Sequence, residues 1–312
     1  MEAHSKKRLE DLRPSGQAMI FTFSDIDHFL TCRRLWAWNY VHDFHPPEVR
    51  HGARPLGTRV HKALEFLYGG HTDDPVGLFN ALSAKDMAWQ EDHGSPAWEV
   101  DALYKETVIG RKLIEKYVEW IAESGEDDGL EVVAVEEQIE APILGGDVLL
   151  RGKVDVKFRY VDSGFLLLND FKTVGRLDSG TRAKLEHSYQ HHVYMGIESL
   201  ANPDEPMPHA ANTLLVKGRY PQIHRFPIPG TATATPNRLV DIERIVTDML
   251  RAIDEESNYP SPGQHCAWCD YRKPCLLADD SPAAALDYLN VKFRVGGKHD
   301  RYYSEDSEMD KT

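Results

Sequence analysis

Residues 148–173 read VLLRGKVDVKFRYVDSGFLLLNDFKT, and the rest of the chain is arranged around them. Val148 to Tyr160 and Phe165 to Lys172 are rich in apolar and β-branched residues, which predicts two strands. Val161-Asp162-Ser163-Gly164 supplies turn residues between them, so the pair reads as a tight hairpin. A turn centred on Asp162-Ser163 sets Asp155 opposite Asp170 and Lys153 opposite Lys172. Opposed residues stand about 4.5–5.5 Å apart, and like charges at that range repel. A cation between the two carboxylates removes the repulsion, and hard oxygen donors suit Mg²⁺ or Mn²⁺. Alternation puts Arg151, Lys153, Asp155, Lys157 and Arg159 on one face of the first strand, and Gly152, Val154, Val156, Phe158 and Tyr160 on the other. One acid thus lies in a basic stripe backed by an apolar face. The hairpin by itself also fits a solvated strand face of mixed charge.

Gly152-x-x-Asp155 on one strand, followed by Asp170-x-Lys172 on the next, resembles the core of the PD-(D/E)XK nucleases. More narrowly it resembles the RecB-like branch, which includes the CRISPR-associated protein four exonucleases and the AddB nuclease domains. Gln190-His191-His192-Val193-Tyr194 fits the Q-x-x-x-Y motif of that branch, and Gly57-x-x-x-His61 resembles its first motif. The resemblance implies an α/β fold with a restriction-endonuclease-like core, a mixed central sheet flanked by helices. It implies one domain over residues 21–280, after a ragged N-terminus (1–20) and before a C-terminal tail (281–312).

Composition sets the bounds. A chain of 312 residues with 41% hydrophobic content can fill a sizeable core. No run approaches 18 apolar residues, so no transmembrane helix and no membrane partner are expected. Lys6-Lys7-Arg8 is not followed by the apolar segment of a secretory leader, which makes a cytoplasmic protein the expectation. The net charge of −14 counts against wholesale coating of nucleic acid, which relies on Lys and Arg, but leaves room for a local basic channel.

Along the chain, Phe21-Thr22-Phe23-Ser24-Asp25 predicts a short strand or turn and an N-cap, then a helix from Ile26 to Val41. The aromatic set Trp36, Trp38 and Tyr40 on it reads as packing. Pro46, Pro47, Gly52 and Pro55 make a loop, and a helix runs from Gly57 to Tyr68 with His61 and Glu65 on one face. Helices follow over 74–91 and 99–122, then a strand from Leu130 to Ile143. After the hairpin come a loop to Ser179, a helix over 181–200 and a second hairpin of 212–217 with 222–227. Arg219 and Arg225 of that hairpin could extend a DNA-contacting edge. Pro236 to Glu256 is the last long helix.

Cys266-Ala267-Trp268-Cys269 and then Cys275 form a close set, and Cys32 is the one other cysteine, far upstream. Four thiolates hold an iron–sulfur cluster or, equally, a structural zinc. The arrangement of one N-terminal and three C-terminal cysteines resembles the [4Fe–4S] staple of the AddB and CRISPR-associated exonucleases. That likeness implies a cluster joining segments 21–45 and 260–280, with zinc as the alternative.

Taken together, the resemblance implies a Mg²⁺- or Mn²⁺-dependent deoxyribonuclease, an exonuclease leaving 5′-phosphates, with roles in DNA repair or recombination. His61, Asp155, Asp170 and the backbone carbonyl of Phe171 would hold the metal, with Glu65 a weaker candidate. Lys172 would stabilise the attacking hydroxide, and Gln190 and Tyr194 would assist the site. The implied partners are DNA, single-stranded or at ends, and a helicase, recombination or CRISPR-adaptation protein. The competing class is a catalytically silent DNA-end or partner-binding module on the same fold.

Overall fold

The computed structural model describes residues 18–228 and 231–296, and its chain divides into two compact units. Of the described residues, unit two holds 49–139 and 153–235 without 229–230, and unit one holds 18–48, 140–152 and 236–296.

In unit two three helices, α3 (Ala53–Tyr68), α4 (Pro75–Asp92) and α5 (Ala97–Ser124), precede the strands. The strands are β3 (Leu130–Ile143), β4 (Val148–Tyr160), β5 (Leu166–Val174), β6 (His209–Val216) and β7 (Gln222–Pro227), with β3 and β4 also reaching into unit one. The order is β4–β5–β6–β7, with β3 on the other side of β4. Pairing is antiparallel for β4/β5 and β6/β7 and parallel for β5/β6, so the sheet is mixed. The crossover from β5 to β6 carries α6 (Ser179–Glu186) and α7 (Gln190–Ala201), as a parallel connection requires. Register follows the turn geometry: Val156 faces Asn169 and Lys157 faces Leu168, the alignment expected from Asp162-Ser163.

Period-two alternation then sorts the side chains. Val156, Phe158, Leu167, Phe171, Ala211 and Leu215 bury against Leu56, Val60, Leu64, Leu113 and Tyr117 of α3 and α5. Asp170 and Lys172 lie on the opposite face, toward α7. Helices therefore cover both faces of this mixed sheet.

Unit one contains β1 (Met19–Thr22), which runs parallel to the first residues of β4. A capping box between Thr22 and Asp25 starts α1 (Phe23–Thr31). The continuous helix expected over 26–41 is interrupted. Cys32 is extended, α2 (Arg33–Trp36) restarts after it, and a π-helical turn covers Ala37–Val41. Trp36 and Tyr40 are buried, so these aromatics are packing. Most of α8 (Thr231–Asp254), then α9 (Arg272–Asp280) and α10 (Pro282–Lys292), complete the unit. A short strand β8 (Arg294–Val295) pairs with β2 (Phe44–His45). Residues 282–295, placed by the sequence in a tail, are structured because Leu289 and Phe293 bury against Phe44 and Tyr271. Other boundaries differ too. The first helix of unit two starts at Ala53, since a proline in the first turn costs no hydrogen bond. The 181–200 helix is two helices, divided at 187–189, where Ser188 Oγ accepts the N–H of Gln190.

Candidate active site

The β4/β5 ladder is recorded as far as Val156–Asn169, and the next position along carries the acids. Asp155 Oδ2 takes the backbone N–H of Phe171 at 2.7 Å. The same oxygen lies 3.3 Å from His61 Nδ1. His61 comes from α3, on the Phe171 side of the sheet, with its ring edge-on to the Phe171 ring. Gly57, one turn earlier on α3, explains how the helix comes so close. A β-carbon there would sit 3.4 Å from Thr173 Oγ1 of β5, so α3 lies almost directly on the strand.

Charge at this corner is shared. Burial alone would lower the pKa of His61, but the hydrogen bond and charge of Asp155, with the charge of Asp170, outweigh it and raise the value above 6.5. Burial would raise the carboxyl of Asp155. His61, the Phe171 N–H and Lys172 reverse that, and its pKa falls below 3.8.

Asp170, 3% exposed, sits among different partners. Lys172 Nζ is 2.7 Å from Asp170 Oδ2, and Gln190 Nε2 donates to Asp170 Oδ1 at 2.6 Å. Gln190 also donates to Tyr194 Oη at 3.1 Å. Because Gln190 opens α7 and Tyr194 lies one turn on, the two share the helix face turned to β5. Burial raises the Tyr194 phenol above its ordinary value, with the charge of Asp170 adding, so it stays protonated. His191 beside them is buried and held neutral, its pKa lowered by desolvation. The structure therefore gathers Asp155 with His61, and Asp170 with Lys172, Gln190 and Tyr194, on either side of the Phe171 peptide.

Three expectations change. Glu65 forms an ion pair with Lys62 at 2.6 Å on its own helix. Arg225 is no DNA edge. Its guanidinium is buried against Asp127 at 2.7 Å and Thr213 Oγ1 at 3.1 Å, and it lies over the rings of Trp120 and Phe158. The basic stripe of β4 is not wholly solvated either, since Lys157 is 7% exposed and pairs with Glu137 and Glu198.

One residue was invisible in the sequence. Glu136 of β3 brings a carboxylate oxygen into a group with His61 and Asp155, all three ligand atoms lying within 4.8 Å of one another. Its backbone is left-handed (φ 52°) in the middle of a strand, which no sequence pattern announces. Nitrogen and carboxylate donors at this spacing fit a hard divalent cation.

The cysteines form a second site, inside unit one. Cys32, Cys266, Cys269 and Cys275 line a single cavity of about 260 Å³. The Ser261 N–H points at Cys32 Sγ (3.4 Å), and Arg34 Nη1 reaches Cys275 Sγ (3.5 Å). Burial pushes the Cys269 thiol up, and Cys32, Asp270 and Cys266 add to the shift through their charges. The extended backbone at Cys32 that breaks the first helix is thus part of this cavity's wall.

A model of the PD-(D/E)XK nuclease superfamily matches residues 20–276. No curated protein matches significantly. Among solved structures, that of a candidate exonuclease from Eubacterium rectale is 11% identical and covers 80% of this chain and 86% of its own, with a TM-score of 0.52. The crystal structure of SSO0001 is 12% identical over 79% of this chain and 94% of its own, at a TM-score of 0.33. The first of these likenesses is one of fold.

Proposed function

The chain belongs to the PD-(D/E)XK nuclease superfamily, and on that premise we propose that it is a Mg²⁺- or Mn²⁺-dependent deoxyribonuclease of the RecB-like type. The observation that carries this reading is the juxtaposition of His61 with Asp155 and of Asp170 with Lys172, where the β4/β5 ladder ends. A divalent ion held by His61, Asp155 and Asp170 would polarise a phosphoryl oxygen and lower the pKa of a bound water. Phe171 would add its backbone carbonyl; its N–H is already committed to Asp155. Lys172, 32% exposed, brings a cation to the point where the attacking hydroxide and the developing phosphorane charge would lie. Gln190 fixes one oxygen of Asp170 by a 2.6 Å hydrogen bond, leaving the other to Lys172 and the metal. Tyr194 anchors Gln190 in turn.

Exonuclease action at DNA ends with 5′-phosphate products is the finer form of the proposal. It draws on the motif set and is in keeping with the Eubacterium rectale neighbour. The test is a timed digest of end-labelled single- and double-stranded DNA. Asp155→Asn and Lys172→Ala should each cut the metal-dependent rate by at least about a hundredfold, with circular dichroism unchanged. Wild-type protein that binds DNA but cleaves none with either metal would overturn the enzyme in favour of a silent binding module.

For the cysteine site we propose a [4Fe–4S] cluster. Tetrahedral zinc, with bonds of about 2.3 Å, draws four thiolates to about 3.8 Å from one another. Among the described residues no three cysteine sulfurs lie mutually within 4.8 Å, and the cavity they line has room for a larger group. N–H donors aimed at Cys32 and Cys275 are of the kind that tune cluster sulfurs. Anaerobic purification should give brown protein with about four irons per chain; one zinc per chain and no colour would replace the cluster with the alternative.

A further inference from the structure

Resting on the reading of this site as a divalent-metal centre, we infer that Glu136 is a further protein ligand of the metal. Lys153 is then the counter-ion that Glu136 releases when the metal binds. Donors on one ion, with bonds of about 2.0–2.2 Å, stand no more than about 4.4 Å apart. The His61, Glu136 and Asp155 atoms already lie within 4.8 Å of each other, so a closing movement of a few tenths of an ångström brings them to one ion.

The backbone is built to deliver that carboxylate. Lys153 and Lys157 share a face of β4 by alternation, and each pairs with a glutamate of β3. Those glutamates, 136 and 137, are consecutive, and an undisturbed strand would send them to opposite faces. Glu136 has a left-handed backbone (φ 52°), a conformation that breaks the alternation as a bulge does, and the two pairings put both glutamates on the side of Lys153 and Lys157. A residue with a β-carbon visits this region rarely, and non-glycine cases gather at functional sites.

The two pairs differ in kind. Lys157 is 9% exposed in its side chain and is gripped by Glu137 and by Glu198 (2.5 Å), an arrangement that stays. Lys153 is 60% exposed, with Glu136 as its recorded partner. An exposed ammonium on a flexible stem can leave for water at little cost. Its positive charge therefore stands in for the cation at Glu136 until the cation arrives.

The experiment is Mn²⁺ titration of the full-length chain, followed by the loss of the free-Mn²⁺ resonance signal, with melting of each metal-free variant as the control for folding. Glu136→Gln should weaken Mn²⁺ binding about tenfold or more, and Lys153→Met should strengthen it about threefold. Asp155→Asn serves as the reference for loss of the site. Glu136→Gln that binds as tightly as wild type, where Asp155→Asn does not bind, overturns the inference and leaves the metal-centre reading intact. No uptake by wild type overturns both. Should Glu136→Gln fail to fold, Lys153→Met decides alone: unchanged affinity in that variant rejects the counter-ion role and the inference with it.

Discussion

His61 Nδ1 and Asp155 Oδ2 lie 3.3 Å apart, an ion pair whenever the imidazole is protonated, and this gives the metal-free protein a defined pH response. The folded pKa of His61 is raised, so its contribution to stability is complete below 6.5 and is lost as pH climbs through the higher folded value. Asp155 is shifted the other way. Its contribution is complete above 3.8 and is lost only as pH falls through its lower folded value. Of this pair, the histidine is the member that titrates between mildly acid and mildly alkaline pH. The melting temperature of chelator-treated wild type should therefore exceed that of His61→Gln at acid pH, and the gap should close as pH rises. A gap that widens instead would show that His61 is not paired in solution. Mn²⁺ affinity should run oppositely, rising with pH over the same window, because the metal displaces the imidazole proton. These acids were legible in the sequence because strand alternation and a short turn fix which carboxylates share a face. Glu136 was not, because a single left-handed residue resets the alternation on its strand.

Helix placement depends on two glycines that do different work. A β-carbon at Gly57 would meet Thr173 Oγ1 at 3.4 Å, the near edge of ordinary contact. Gly57→Ala should fit, gain up to about 1 kcal/mol in helix propensity, and keep Mn²⁺ affinity. Gly57→Leu must push α3 off β5, carrying His61 away from Asp155, and should lose that affinity while the helix stays folded. Gly110 of α5 is tighter, since a β-carbon there would lie 2.1 Å from Phe79 Cζ and 2.8 Å from Leu56 Cδ1. Phe79 is fully buried and has nowhere to turn. Gly110→Ala should cost about 1–3 kcal/mol by overpacking, and this outweighs the propensity gain. Denaturant melts of the variants check each case, and a stabilised Gly110→Ala would mean the α4/α5 contact is looser than described. Element types were mostly readable from periodicity: α4, α5 and β3 fall within two residues of their expected bounds. The two misread helices, at 26–41 and 181–200, break at Cys32 and at 187–189. At neither place is there a proline or glycine to mark the stop. The first break turns a thiol into a cavity, and the second brings Gln190 to the start of a helix, so both serve sites that local propensity cannot see.

At the scale of the whole chain, distant segments meet through chemistry more than through periodicity. The sheet order was open to sequence reasoning, because a parallel β5/β6 pair needs a helical crossover and the β4/β5 hairpin needs only a short turn. The order over residues 282–295 was not, since α10 and β8 are held by Phe44 and Tyr271, residues remote in sequence from Leu289 and Phe293. Cys32 likewise joins three cysteines near the far end of the chain in one cavity. The proposed metal group, bound by all four, would close that long loop, and its binding free energy would become part of the folding free energy of unit one. Loss of one ligand should therefore act on stability well beyond the value of one buried thiol. Cys32→Ser should abolish the visible absorption and lower the calorimetric melting temperature by several degrees, as a loss of about 1–3 kcal/mol would in a chain of this size. Iron removal from the wild type by an oxidant and chelator should bring it to the melting temperature of Cys32→Ser, because both reach the same unligated state. If the variant stays as stable as the loaded protein, the four cysteines line a cavity without stapling the chain.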